Sequence, residues 1–336
     1  TGQLSTVIYS MARNITPSSG TGSSGSAGNP QDFAHVDTIV MDLDDTIVAG
    51  TPAILAYIET IYDGLRREAR MSAEDVAAGF AAIRGQEIYA FTKAFNQHGP
   101  LREKFPHGDL NERFKHIAER ADRAFVEALT PDEDFVAAID TWRKQGYRLI
   151  LMTEGPGSAT VVKMDGTGLG EKMDQMLVVA EGDPDPAIPV REGYPSKLWD
   201  KIRQLPPGFK ESRDVISKAL AEIGVDPKRT VMIGNRTDRD LKPMQELGAA
   251  TILVNQFNRR PDEGAMKKRL AQHLFGGKTM PKGAGAATTE DAGGIVPNAV
   301  LEGTARLTEL LSGPPGYTPD VPKAPGPSHN GPAPAQ

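Results

Sequence analysis

The chain has 336 residues, no cysteine and a formal net charge of −6. The missing cysteines exclude disulfides, thiolate metal sites and cysteine nucleophiles, and the acidic balance argues against a surface built to neutralise a nucleic-acid backbone. Hydrophobic residues make up 39% of the chain, enough for a substantial core in one large domain or two smaller ones.

The chain opens with a short apolar stretch, Thr6-Val7-Ile8-Tyr9, which lacks a basic leader and is too short for a signal segment. No window approaches the ~20 apolar residues that span a bilayer. The expectation is a soluble, cytoplasmic protein with no membrane contact and no nucleic-acid partner. Residues 17–30 are almost entirely Gly, Ser, Thr, Pro and Asn, the composition of a flexible linker, so residues 1–31 are expected to form a disordered arm.

Five short aliphatic or β-branched runs follow: Thr38–Asp42, Arg148–Thr153, Met176–Ala180, Thr230–Gly234 and Ala250–Val254. Each is continuously apolar rather than alternating, as in strands covered on both faces. Helical patterns lie between the later runs, over Phe135–Gln145, Asp214–Ile223 and Asp240–Leu247. Alternating strand and helix predicts right-handed crossovers and an α/β, Rossmann-like three-layer sandwich with a five-stranded parallel sheet. Residues 51–130 hold only helix-like sequence and predict a helical insertion. The core is thus assigned to 32–50 and 131–312, with an irregular insertion at 258–297 and a last amphipathic helix over Val300–Leu311. Residues 313–336 carry eight prolines and are expected to be an extended tail, with weak docking to a proline-reading domain as its one conceivable partner.

In an open parallel sheet, ligands bind at the carboxyl ends of the strands. After the first run comes Asp42-Leu43-Asp44-Asp45-Thr46, after the second Thr153-Glu154-Gly155, and after the fourth Gly234-Asn235-Arg236-Thr237-Asp238-Arg239-Asp240. Asp42 and Asp44, two apart where a strand uncoils, bring two anions to one side of the crevice and need a cation or a shared proton. Oxygen donors with incomplete protein coordination suit Mg²⁺. One carboxylate can then attack phosphorus and the other protonate the leaving oxygen and activate water. Alone, Asp-x-Asp is more often a solvated acidic turn, and a threonine at a strand end is commonplace; the combination with the fourth-strand turn carries the reading.

At this point the chain resembles the haloacid dehalogenase superfamily, whose members are mostly phosphatases. The strand ending in Asp42-Leu43-Asp44-Asp45-Thr46 is similar to its first motif and Leu149–Thr153 to its second. Lys210, before the helix leading into the fourth strand, matches the third, and Val231–Asp240 followed by Leu247–Val254 resembles the fourth. The resemblance spans roughly residues 36–257. It implies Asp42 as nucleophile and metal ligand, Asp44 as general acid/base with its backbone carbonyl on the metal, and a Mg²⁺ cofactor. Thr153, Glu154 and Lys210 stand at the phosphate-binding positions, and Asn235 and Asp240 complete the metal set. The insertion at 51–130 is then the cap that closes over a small phosphorylated substrate.

Three departures from the family pattern matter. Asn235 replaces an aspartate, which removes one negative charge from the metal set, although an amide oxygen can still coordinate. Asp240 matches a second acid and compensates; Asp238 is the weaker candidate. Glu154 stands where a small or amide residue is usual and brings an anion near the phosphate site unless its side chain points away. Lys210 also lacks the proline that often follows. Lys197 is too early in the chain, and Lys218 lies within a helix. Asp45 reads as structural. Arg84, Gln86, Lys93, His98, Arg102 and His107 of the insertion, together with the Arg259-Arg260 and Lys267–Arg269 clusters, read as solvated surface. The expected function is phosphomonoester hydrolysis through an aspartyl phosphate; Asp44 separates it from the dehalogenase branch, which lacks a carboxylate there. The alternatives are a weakly active or inactive phosphate-binding or interaction module, or a phosphonatase or phosphomutase.

Overall fold

The computed structural model describes residues 28–82, 95–180, 197–255 and 295–311, with isolated positions between 257 and 273. Residues 1–27 of the expected arm, most of the irregular insertion and the proline-rich tail lie outside the described residues, as do Arg84, Gln86 and Lys93; the last two arm residues instead open a 3-10 turn over Pro30–Phe33.

The molecule is built on a seven-stranded sheet in the order β6-β5-β4-β1-β7-β8-β9. In chain order these strands are β1 (Thr38–Met41), β4 (Arg148–Pro156), β5 (Gln175–Val179), β6 (Ile202–Leu205), β7 (Thr230–Gly234), β8 (Ala250–Val254) and β9 (Ala299–Leu301). All neighbours pair in parallel, and β1 lies at the centre with Val40 opposite Ile150 on one side and Met232 on the other. From β1 the chain runs outward through β4, β5 and β6, then returns to the other flank of β1 with β7. The strand order therefore reverses at β1/β7, where an open α/β sheet forms its crevice.

The continuous apolar runs have the cause expected of them. Val40, Ile150, Met152 and Met232 pack on one face against Ile216, Ala219 and Leu220 of α8 (Arg213–Glu222). Ile39, Met41, Leu149, Leu151, Val231 and Ile233 pack on the other, against Phe135, Ala138, Ile139 and Trp142 of α6 (Glu133–Lys144). With side chains alternating between two buried faces, every position is apolar. Trp142 is fully buried and meets Phe135 edge-on at 5.9 Å.

The sheet has two strands more than expected. Ile202–Leu205, sequence Ile-Arg-Gln-Leu, is a half-buried edge strand whose polar residues mask its period. Ala299–Leu301 occupies the opposite edge, and this corrects the expectation of a helix from Val300: the backbone there pairs with Ile252–Val254, and only Leu307–Leu310 (α10) is helical. The predicted helix over Asp240–Leu247 is likewise divided, into a π-helical turn at Thr237–Leu241 and α9 (Lys242–Glu246).

Between β1 and β4 the chain forms the antiparallel ribbon β2 (Val48–Ala49) and β3 (Thr130–Pro131), with Val48 opposite Pro131. Among the described residues between these two strands are α1 (Gly50–Glu68), α2 (Ala73–Ala82), α3 (Gly99–Lys104), α4 (Leu110–Arg113) and α5 (Lys115–Ala128). The helices α1 and α5 pack closely: Tyr57 meets Phe125 edge-on at 6.4 Å, and a Cβ on Gly64 would stand 2.7 Å from Ile117. His98, expected on the surface, is buried instead; its Nδ1 accepts from the Leu101 amide and caps α3. Arg102 is tied to Asn96 and to the Gly108 carbonyl. Both residues support the helices around them.

Candidate active site

The ends of β1, β4 and β7 meet at one edge of the sheet. The main chain of Asp42 continues the ladder, donating to the Ile233 carbonyl at 3.0 Å, and then turns away sharply. The carbonyl of Leu43 accepts from the amides of Ile47 and Val48, at 2.9 and 3.1 Å. Asp45 adopts a left-handed conformation (φ 58°), which an aspartate tolerates better than most residues. Its Oδ1 accepts from the Gly50 amide at 3.1 Å and fixes the loop at the start of α1.

This turn buries Asp42, 6% exposed, and leaves Asp44 more open. Asp42 Oδ2 accepts from Thr46 Oγ1 at 2.9 Å and Oδ1 from Lys210 Nζ at 2.6 Å. The same ammonium donates to Asp240 Oδ1 at 2.7 Å. Two buried carboxylates thus share one lysine. Burial is the largest influence on Asp42; with Asp240 and Asp44 beside it, it outweighs the attraction of Lys210 and raises the carboxyl to about 7. Lys210 is itself held above its ordinary range: burial favours the neutral amine, and the two carboxylates overcome it. Lys197 and Lys218, the rival lysines, are exposed.

Asp240 is fixed by its own turn, where its Oδ2 accepts from the Arg236 amide at 3.0 Å. Gly234 is required at the end of β7, because a Cβ there would stand 2.6 Å from both the Cβ and the Oδ2 of Asp240. Asp238 points elsewhere, into a two-pronged pair with Arg236 at 3.1 and 2.7 Å. Asn235 is 4% exposed. Thr153, 2% exposed, accepts from the Gly155 amide at 3.3 Å.

Sequence reasoning missed two cations. Lys163, 2% exposed on α7 (Gly157–Gly166), donates to both oxygens of Asp44, at 2.6 and 2.7 Å. Arg239, 3% exposed, pairs with Glu154 at 2.7 Å and with Glu211 at 2.5 Å. Glu154, expected to bring an anion near the phosphate site unless it points away, is paired with this guanidinium. A buried cation on an apolar helix or turn implies a counter-charge, but only the fold shows which one.

Among the described residues no group of three His, Cys, Asp or Glu side chains is arranged to hold a metal. The donors that converge are two carboxylates, Asp42 and Asp240, around one ammonium, with the buried amide of Asn235 on the adjoining turn. An all-oxygen set with one surplus negative charge fits a hard divalent cation that retains water.

A family model described as haloacid dehalogenase-like hydrolase matches residues 36–248. The chain belongs to this family. The match runs from β1 through the Asn235–Asp240 turn and so takes in the whole constellation around Asp42, and this haloacid dehalogenase-like chain is accordingly a hydrolase by family. Similar solved structures include a 2-haloacid dehalogenase from Pseudomonas syringae pv. Tomato, 14% identical over 82% of this chain and 98% of that one, TM-score 0.48. A haloacid dehalogenase-type phosphatase from Thermococcus onnurineus is 20% identical over 67% of this chain and 89% of that one, TM-score 0.41. L-2-haloacid dehalogenase from Xanthobacter autotrophicus is 15% identical over 83% and 99%, TM-score 0.44. No curated protein matches the sequence. No helix among the described residues is long and apolar enough to cross a membrane.

Proposed function

We propose that this chain is a magnesium-dependent phosphomonoester hydrolase that acts on a small phosphorylated metabolite through an aspartyl phosphate on Asp42. The observation that carries the reading is the buried Asp42 carboxylate, held on one oxygen by Thr46 and on the other by Lys210. A nucleophile fixed on both oxygens has lost the freedom that would otherwise oppose in-line attack, and the adjoining ammonium supplies positive charge where phosphoryl oxygens must lie.

Asp42 attacks phosphorus, and the bond from phosphorus to the leaving oxygen breaks as Asp44, having first taken up a proton in exchange for its pairing with Lys163, gives that oxygen the proton. Lys210 and Thr153 hold the phosphoryl oxygens meanwhile. Asp44, now ionised, takes a proton from water, whose oxygen attacks the same phosphorus. The bond to Asp42 breaks and inorganic phosphate leaves. Asp42, Asp240, Asn235 and the Asp44 backbone carbonyl would hold Mg²⁺, which supplies charge neutralisation for the transferring group. The helices between β2 and β3 serve as the cap that excludes water and selects the substrate.

Asn235 favours a second reading, a phosphate-binding module with little or no turnover, because it leaves the metal set one carboxylate short. Turnover of a generic aryl phosphate with and without Mg²⁺ separates the two. Metal-dependent release of phosphate supports the hydrolase; a folded protein that releases none, with or without metal, rejects it.

A further inference from the structure

We propose that Arg239 is a positioning residue whose guanidinium cancels the charge of Glu154 and so allows an anionic phosphate to bind beside it. This rests on the phosphate site of the preceding reading.

Glu154 directly follows Thr153 at the end of β4, and its side chain is only 13% exposed. Water therefore screens it poorly. Its carboxyl is pushed up by burial, the largest influence, and Arg239 is the strongest influence opposing that; Lys210 and Asp240 also act on it, so the same crevice feels its charge. A phosphate arriving at Thr153 and Lys210 would meet this anion on the residue next to Thr153, in a setting where water screens charge poorly.

Arg239 removes the conflict. It is 3% exposed, with Nη1 2.7 Å from Glu154 and Nη2 2.5 Å from Glu211. Both forks of the guanidinium are occupied by carboxylates, which argues against Arg239 as a direct phosphate ligand. Its second partner adjoins Lys210, so one cation joins the end of β4, the Lys210 turn and the Thr237–Leu241 turn. The two carboxylates differ in how they tolerate its loss. Glu211 is 55% exposed and can be solvated; Glu154 cannot.

The test is calorimetric titration of the full chain with inorganic phosphate in the presence of Mg²⁺, with thermal unfolding of each variant alongside. Arg239→Met is expected to weaken phosphate binding by about tenfold or more. Glu154→Gln in the same chain should restore most of that loss, because the offending anion is gone. Glu154→Gln alone, leaving Arg239 uncancelled, should tighten binding severalfold, and this variant decides the matter should Arg239→Met not fold. A double variant as weak as Arg239→Met, an Arg239→Met protein that binds like the wild type, or a Glu154→Gln protein that binds more weakly would overturn the proposal. Failure of the hydrolase reading looks different: a wild type that binds phosphate with the expected variant pattern but turns over nothing leaves this inference standing. A wild type that binds no phosphate overturns it.

Discussion

Lys210 Nζ lies 2.6 Å from Asp42 Oδ1, although 168 positions separate the two residues in the chain. Asp240 takes the same ammonium at 2.7 Å, so the site carries more buried negative charge than its lysine can neutralise. That imbalance is costly without a bound cation, and it gives the acidic residues opposite signs in their effects on stability.

Asp42→Asn relieves the imbalance. In metal-free buffer above pH 7 this variant is expected to melt at a higher temperature than the wild type, while losing turnover by roughly a thousandfold or more, as removal of a nucleophile does. Differential scanning calorimetry and a phosphate-release assay check both halves. A lower melting temperature would contradict the electrostatic account.

The pH dependence of stability follows from the same group. Asp42 titrates near 7 in the folded chain, against 3.8 for an ordinary aspartate. Between these values the folded state keeps a proton that the unfolded state has lost, so stability declines as pH rises through that window and the decline ends near 7. Denaturant titrations from pH 5 to 8 without metal should show this decline in the wild type and a flatter profile in Asp42→Asn. Equal slopes would contradict the raised carboxyl.

Asp44→Asn acts in the opposite direction. It leaves Lys163 buried without its counter-charge and is expected to cost about 1–3 kcal/mol of stability, moderated because Asp44 is partly open to water. Loss of the proton donor should also slow alkyl phosphate turnover by about 10²–10⁴, and aryl phosphates with good leaving groups less. Equal loss on both substrate types would deny Asp44 the role of acid.

Asn235→Asp adds a third carboxylate. Apparent Mg²⁺ affinity should rise by about tenfold, and the metal-free protein should melt at a lower temperature. Calorimetric titration with Mg²⁺ measures the first and a melt in chelator the second. Unchanged affinity would mean that position 235 does not face the metal. Gly234→Ala, by contrast, pushes a methyl group against Asp240 and should cost about 1–3 kcal/mol together with metal affinity.

Much of this was legible in the sequence because burial on both sheet faces leaves a plain mark: Thr38–Met41, Thr230–Gly234 and Ala250–Val254 are strands where continuous apolar runs predicted them. Lys210 was legible only through the family resemblance, and the fold brings its ammonium beside Asp42. The edge strands were not, since Ile202–Leu205 is half exposed and carries Arg203 and Gln204. Lys163 was hidden for a different reason. Its helix reads as an ordinary apolar one, and its partner Asp44 stands 119 positions away. Glu154 looked like an intruding anion for the same reason, because nothing local shows that Arg239 folds against it.

Mass spectrometry of acid-quenched protein, mixed briefly with an aryl phosphate and Mg²⁺, tests the central claim most directly. The account predicts a phosphoryl group on the peptide that carries Asp42, absent when the mixture contains Asp42→Asn. Steady turnover with no phosphoryl group on that peptide, or undiminished turnover by Asp42→Asn, would contradict it.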